Sequence, residues 1–247
     1  MPEGPTIVIL KEEVSEFTGH EVIAASGNAK IDIDRITGKK IIAFKSWGKH
    51  FLVCFKDFYI RIHFLMFGTY RINEKRDFAS RLSLVFKSGE VNFYSCSVKL
   101  MEGTVYDHYD WETDVMSDHW NEKRAITNVK KLKKTMACDA ILNQEIFSGA
   151  GNIIKNEVLW RVKIHPESLV EHLPPKKIKE MVKDTRDYTL LFYEWKKAYV
   201  LRQHWQIYKK KECPRCKIPL VRTYAGKTDR LTFYCENCQK LYKKKKK

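Results

Sequence analysis

Two places in the chain group residues whose types could do chemistry. The first is its start, Met1-Pro2-Glu3-Gly4-Pro5. Removal of Met1 would leave Pro2 with a free secondary amine beside the Glu3 carboxylate, a nucleophile next to its own acid-base partner. Such an amine attacks an aldehyde-like carbon to give an iminium ion, the electron sink that lysine provides in Schiff-base enzymes. The same residues also read as an ordinary chain start ahead of a helix, and position alone does not choose between the two. The second place is Cys213-Pro214-Arg215-Cys216 with Cys235-Glu236-Asn237-Cys238, two pairs enclosing 18 residues. That spacing suits two knuckles closing on one tetrahedral zinc ion, and four thiolates would fill its shell, so the metal would be structural.

Three further stretches could meet an anionic polymer. Between the cysteine pairs, Arg222, Lys227 and Arg230 charge a segment that reads as a β-hairpin ending Leu231-Thr232-Phe233-Tyr234, which could present Arg230 to a phosphate. Ser148-Gly149-Ala150-Gly151-Asn152 joins two helical patterns and would set backbone N–H groups and the Asn152 amide at a helix N-terminus, where phosphates bind readily; a glycine turn with an asparagine cap is also common as pure structure. Trp47-Gly48-Lys49-His50 places a lysine on a strand beside a glycine bend, open to a ligand or simply to solvent. Leu65, Met66 and Phe67 are consecutive, so a strand could not bury all three on one face and at least one should project. Apolar wedges of that kind enter the base stack in duplex-kinking proteins.

The elements that must hold these residues follow from patterning. Ile7, Leu10, Val14 and Phe17 recur at helical spacing and Gly19 supplies a stop. From 21 to 101 the pattern changes to short alternating runs, 40–45, 50–55, 59–63, 81–86 and 90–94, with Lys87-Ser88-Gly89-Glu90 as a hairpin turn between the last two. Helical patterns return over 137–147 and 152–161, and Pro174-Pro175 opens a long amphipathic helix. The expected class is α+β: a leading helix and β-sandwich over 1–106, a linker over 107–124, a helical domain over 125–210, a zinc finger over 211–240 and a basic tail over 241–247.

The 247 residues, 44% of them hydrophobic, suffice for two ordinary domains, and the net charge of +16 exceeds what solubility requires and points to nucleic acid. A membrane role is not expected, since no apolar run is long enough to span a bilayer and the acidic start lacks the regions of a signal peptide. Cys54, Cys96 and Cys138 lie scattered, an arrangement that suits small buried hydrophobes in a reducing compartment, cytoplasm or nucleoid in a bacterium and nucleus in a eukaryote.

Taken in order, Pro2-Glu3-Gly4-Pro5, Gly48-Lys49, Leu65-Met66-Phe67, Gly149-Ala150-Gly151-Asn152 and Arg230 within a zinc hairpin resemble the formamidopyrimidine-DNA glycosylase and endonuclease VIII family of base-excision repair over essentially the whole chain. The resemblance implies a helix-two-turns-helix element around Asn152 and a monomer acting on damaged double-stranded DNA. It implies that Pro2 attacks the sugar C1′ and displaces the base, that Glu3 handles protons at the sugar, and that Lys49, Asn152 and Arg230 grip phosphates. Leu65, Met66 and Phe67 would fill the vacated stack, and strand cleavage would proceed by β,δ-elimination. The formamidopyrimidine branch carries an Arg-Arg-Phe-Gly-like segment where this chain reads Phe93-Tyr94-Ser95-Cys96-Ser97-Val98, so the endonuclease VIII branch and oxidised pyrimidines are favoured over 8-oxoguanine. The wedge triplet is nevertheless more apolar than that branch implies. A non-catalytic zinc-containing nucleic-acid-binding protein would explain the charge, the zinc and the lysine tail, but not Pro2 and Glu3 together with Lys49 and Arg230.

Overall fold

The computed structural model describes residues 2–243, and the chain divides into two compact units, 1–110 and 111–247. The division falls inside the segment expected to be a linker, 107–124, but that segment is no free connector. Most of it packs into the second unit, where Val115 is fully buried and Thr113 and Asp114 nearly so.

In the first unit, α1 (Gly4–Glu13) carries Pro5 in its first turn, where the missing N–H costs no hydrogen bond. A 3₁₀ turn at Ser15–Phe17 continues the same face, so Ile7, Leu10, Val14 and Phe17 are all fully buried, and Gly19 ends the run at φ +83°. Eight strands follow: β1 (Ala24–Ser26), β2 (Ala43–Trp47), β3 (His50–Cys54), β4 (Phe58–His63), β5 (Thr69–Ile72), β6 (Leu82–Phe86), β7 (Gly89–Tyr94) and β8 (Ser97–Glu102). They form two antiparallel four-stranded sheets, ordered β1-β6-β7-β5 and β2-β3-β4-β8. Alternating residues Phe51, Val53, Ile60 and Ile62 of one sheet share a core with Leu82, Leu84, Val91 and Phe93 of the other, and α1 packs on β2 and β3.

In the second unit, α2 (Glu122–Lys131) begins within the expected linker, capped by Asn121, whose Oδ1 accepts the Arg124 N–H at 3.0 Å. The helical pattern over 137–147 becomes a shorter α3 (Ala137–Leu142), because the Asn143 side chain reaches forward to accept the Glu145 N–H at 2.9 Å, closing a turn. Next come α4 (Asn152–Arg161), buried from Asn152 through Trp160, and α5 (Pro175–Lys197), which the proline pair opens as expected. The hairpin of β9 (Val221–Ala225) and β10 (Arg230–Tyr234) packs on α4, and its Phe233 shares one core with Cys213, Cys235 and the helices. The helical and zinc-finger stretches therefore fold as one body. Among the described residues no helix is long and apolar enough to cross a membrane. The lysine tail extends beyond Lys243, and 244–247 lie outside the described residues.

Candidate functional site

At the chain start, Glu3 occupies the position just ahead of α1 with extended backbone (φ −123°, ψ 173°). Residues there usually turn a side-chain oxygen onto their own helix, yet Glu3 makes no such bond, and it is only 1% exposed. A carboxylate is therefore held out of water one peptide bond from Pro2, at the positive end of a helix dipole that also disfavours an ammonium there.

Lys49 was expected on a strand. The pairing of Trp47 with His50 makes Gly48-Lys49 a two-residue turn at the tip of the β2–β3 hairpin, with Gly48 at φ +53°, as such turns demand at their first position. The sheet face beneath it carries Trp47, His50, Tyr59, Arg61 and His63, covered by Tyr109, whose ring lies 4.9 Å from Trp47 and 5.8 Å from His50. Burial, reinforced by His63, Arg61 and Lys49, drives His50 from the ordinary 6.5 down to about 3. Burial with Lys49 and Arg61 also lowers His63, favouring the neutral ring, whose Nδ1 accepts the Leu65 N–H at 3.3 Å.

That bond sits at the base of the loop between β4 and β5, where Leu65, Met66 and Phe67 are 54%, 47% and 80% exposed. All three project, more than strand geometry alone requires. The Gly68 N–H closes the loop on the Phe64 carbonyl at 2.7 Å, and a Cβ on Gly68 would stand 2.3 Å from that oxygen, so only glycine fits. The link between β7 and β8, where the formamidopyrimidine branch would carry its Arg-Arg-Phe-Gly-like segment, is just Ser95-Cys96, and Cys96 is buried.

In the second unit the expected asparagine cap gives way to a different arrangement. Gly151 caps α4, while Asn152, at the first helical position and 6% exposed, donates from Nδ2 to the Leu231 carbonyl at 2.9 Å. Asn156 Oδ1 accepts the Phe233 N–H at 2.7 Å, and the fully buried Lys155 donates from Nζ to Thr232 Oγ1 at 2.7 Å. One turn of α4 thus grips three successive residues of β10, and Arg230, exposed at the start of that strand, precedes them directly. Asn152 and Arg230 are brought together in this way, while Pro2, Glu3, Lys49 and the apolar triplet belong to the first unit.

The four paired cysteines converge so that their sulfurs all lie within 4.8 Å of one another, and Cys213 and Cys238 are 3.8 Å apart. That matches an edge of a tetrahedron with metal–sulfur bonds of about 2.3 Å, and it is far beyond a disulfide bond of about 2.05 Å. Burial alone would raise the Cys213 thiol, but the Trp160 indole N–H, 3.4 Å away, and the backbone N–H groups of Cys216 and Arg215 outweigh it and bring it down to about 6. The thiolate, the form that binds metal, is favoured. Arg215 stacks 3.6 Å from the Trp160 ring and donates to the Trp160 carbonyl at 2.7 Å, joining the knuckle to the end of α4. The thiolate preference of Cys213 does not extend to Cys235, which burial raises, or to Cys238, which burial with the neighbouring thiols takes up to about 12. Away from the quartet, burial pushes Cys54, Cys96 and Cys138 up to about 11, 12 and 12.

The sequence profile of the formamidopyrimidine-DNA glycosylase N-terminal domain matches residues 1–99, and that of the formamidopyrimidine-DNA glycosylase H2TH domain matches residues 112–190. The chain belongs to the formamidopyrimidine-DNA glycosylase and endonuclease VIII family. It is 30% identical to endonuclease 8-like 3 of Xenopus laevis over 89% of this chain and 38% of that protein. Against endonuclease 8-like 2 of Bos taurus it is 32% identical over 73% of this chain and 58% of that protein, so the chain spans from about a third to somewhat over half the length of such relatives. In fold it is similar to the Lactococcus lactis formamidopyrimidine-DNA glycosylase bound to DNA containing an AP site, with a TM-score of 0.85, 21% identity and coverage of 96% of this chain and 99% of the other. A viral DNA glycosylase superposes with a TM-score of 0.84 at 19% identity, over 96% of this chain and 99% of the other.

Beside the family motifs, His63, Lys155 and Asn156 hold the candidate residues in place without having drawn notice in the sequence. A histidine two residues before a loop and a Lys-Asn pair inside a helix carry no spacing signal. Only the contacts reveal them.

Proposed function

We propose that this protein is a bifunctional DNA glycosylase and AP lyase of base excision repair that removes oxidised pyrimidines. The observation that carries the reading is Glu3, a carboxylate held 1% exposed next to Pro2. After Met1 is removed, the Pro2 amine attacks C1′ of the damaged nucleotide. The C1′–base bond breaks and the base leaves with its electron pair, while Glu3 takes up the proton that the attacking amine releases and passes it to the oxygen of the opening sugar ring. The resulting iminium ion draws electrons from the adjacent C–H bond, whose proton passes to the Glu3 carboxylate or water, and β- then δ-elimination expel the two flanking phosphates.

Lys49, Asn152 and Arg230 hold phosphates in this reading, and Leu65, Met66 and Phe67 take the place of the extruded base, offsetting the few kcal/mol that flipping costs. Zinc on Cys213, Cys216, Cys235 and Cys238 stabilises the fold and takes no part in the reaction. Two findings favour the pyrimidine branch: the two-residue Ser95-Cys96 link, and relatives named endonuclease 8-like. The test is excision from a matched set of thymine glycol, dihydrouracil and 8-oxoguanine DNAs. The expected order places both pyrimidine lesions above 8-oxoguanine, and a preference for 8-oxoguanine would overturn the branch.

A further inference from the structure

The hairpin of β9 and β10 is a two-stranded sheet, and such sheets are marginal alone. Its foot runs into the Cys235 knuckle and its middle lies on Asn152, Lys155 and Asn156 of α4. The tip, Gly226-Lys227-Thr228-Asp229, lies a full strand of about 17 Å from the cysteines. There a separate contact takes over. Asp139 of α3 accepts the Lys227 N–H at 2.9 Å on Oδ2, and the Thr228 N–H and Oγ1–H at 3.3 and 3.2 Å on Oδ1.

An acidic residue in the first turn of a helix ordinarily serves that helix's own N-terminal N–H groups. Here the carboxylate is turned instead onto donors 88 and 89 positions away. Gly226 is shaped to this contact: it sits at φ +78°, and a Cβ there would stand 2.4 Å from Asp139 Oδ1, so any side chain would displace the carboxylate. Arg230 follows this tip directly, two residues after Thr228, and pairs with Ala225, the residue preceding Gly226.

We infer that Asp139 is a positioning residue for Arg230, clamping the hairpin tip so that the guanidinium meets a DNA phosphate in one fixed place. The inference rests on the reading of Arg230 as a phosphate ligand. With the foot and middle held but the tip loose, Arg230 would have to be ordered at the moment of binding, and that entropy would be subtracted from its contact.

The test is a double-mutant cycle on binding to a duplex with a reduced abasic site, using the full chain loaded with zinc. Arg230→Ala should weaken binding about tenfold, the size of one charge-assisted contact, and flatten the slope of log K against log salt by about 0.9. Asp139→Ala should reproduce most of both changes with zinc content and melting temperature held, and the double variant should bind no worse than Arg230→Ala alone. Additive losses in the double variant, or an unchanged salt slope in Asp139→Ala, would overturn the clamp. If Arg230→Ala itself binds like the parent, the phosphate reading of Arg230 fails instead, and the clamp falls with it. Should Asp139→Ala lose zinc, Asp139→Asn, which keeps the shape and one acceptor, carries the same cycle: coupling with Arg230 supports the clamp and additivity refutes it.

Discussion

Lys49 and Arg230 are both cations at the ends of β-hairpins, yet the two hairpins are supported in opposite ways. The β2–β3 hairpin is part of a four-stranded sheet whose inner face is apolar core, so its turn needs only a glycine at positive φ. The β9–β10 hairpin has no sheet beyond itself and is held by the cysteine knuckles, by α4 and by Asp139. A residue presented by a large core survives loss of any single neighbour. One presented by polar and metal contacts depends on each of them.

The sharpest way to break the contrast is to remove the metal. A structural zinc site contributes on the order of 10 kcal/mol to folding, so chelation or Cys235→Ser should unfold the Arg230 hairpin while leaving the sandwich intact. Amide exchange would show loss of protection over 221–234 and retention over 43–63. Equal loss in both regions would contradict the difference in support. Next in size is Asn156→Ala, which leaves the buried Phe233 N–H unpaired and should cost about 1–3 kcal/mol of stability by urea denaturation.

The apolar loop belongs with the core-supported hairpin, rising from the end of β4. Phe67→Ala should lower affinity for lesion DNA by about 1–3 kcal/mol, the contribution of one stacked aromatic, with folding unaffected because the ring is 80% exposed. A separate effect is expected from acid. His50 is held neutral in the folded state, so the unfolded chain binds the extra proton between the ordinary 6.5 and about 3. The stability from this group is therefore full above about 6.5 and declines as pH falls toward about 3. His50→Gln should flatten that part of the pH dependence of the melting temperature; an unchanged slope would show that the histidine is not held neutral.

The same contrast explains what the sequence disclosed. Strands with dense apolar runs, such as β3 and β4, and helices with long apolar stripes, such as α5, were legible, because a short apolar run and a stripe at helical spacing are both local signals. β1 and β5, only partly buried along their length, and α2, where Ala125 and Val129 are buried and Ile126 only partly so, left no such trace. The cysteine quartet was legible from spacing alone, since two knuckles must close on one point. The placement of Lys49 in a turn rather than on a strand follows from a register that only pairing sets. Asp139, Lys155 and Asn156 were invisible for a related reason: each acts on backbone far along the chain, and such contacts have no period.

The central claim is that the Pro2 amine is the nucleophile. The most direct measurement is borohydride reduction of Met1-processed protein with DNA carrying an abasic site, followed by mapping of the cross-linked peptide. The account predicts one covalent adduct, on Pro2. No adduct, or an adduct on a lysine side chain, would contradict it.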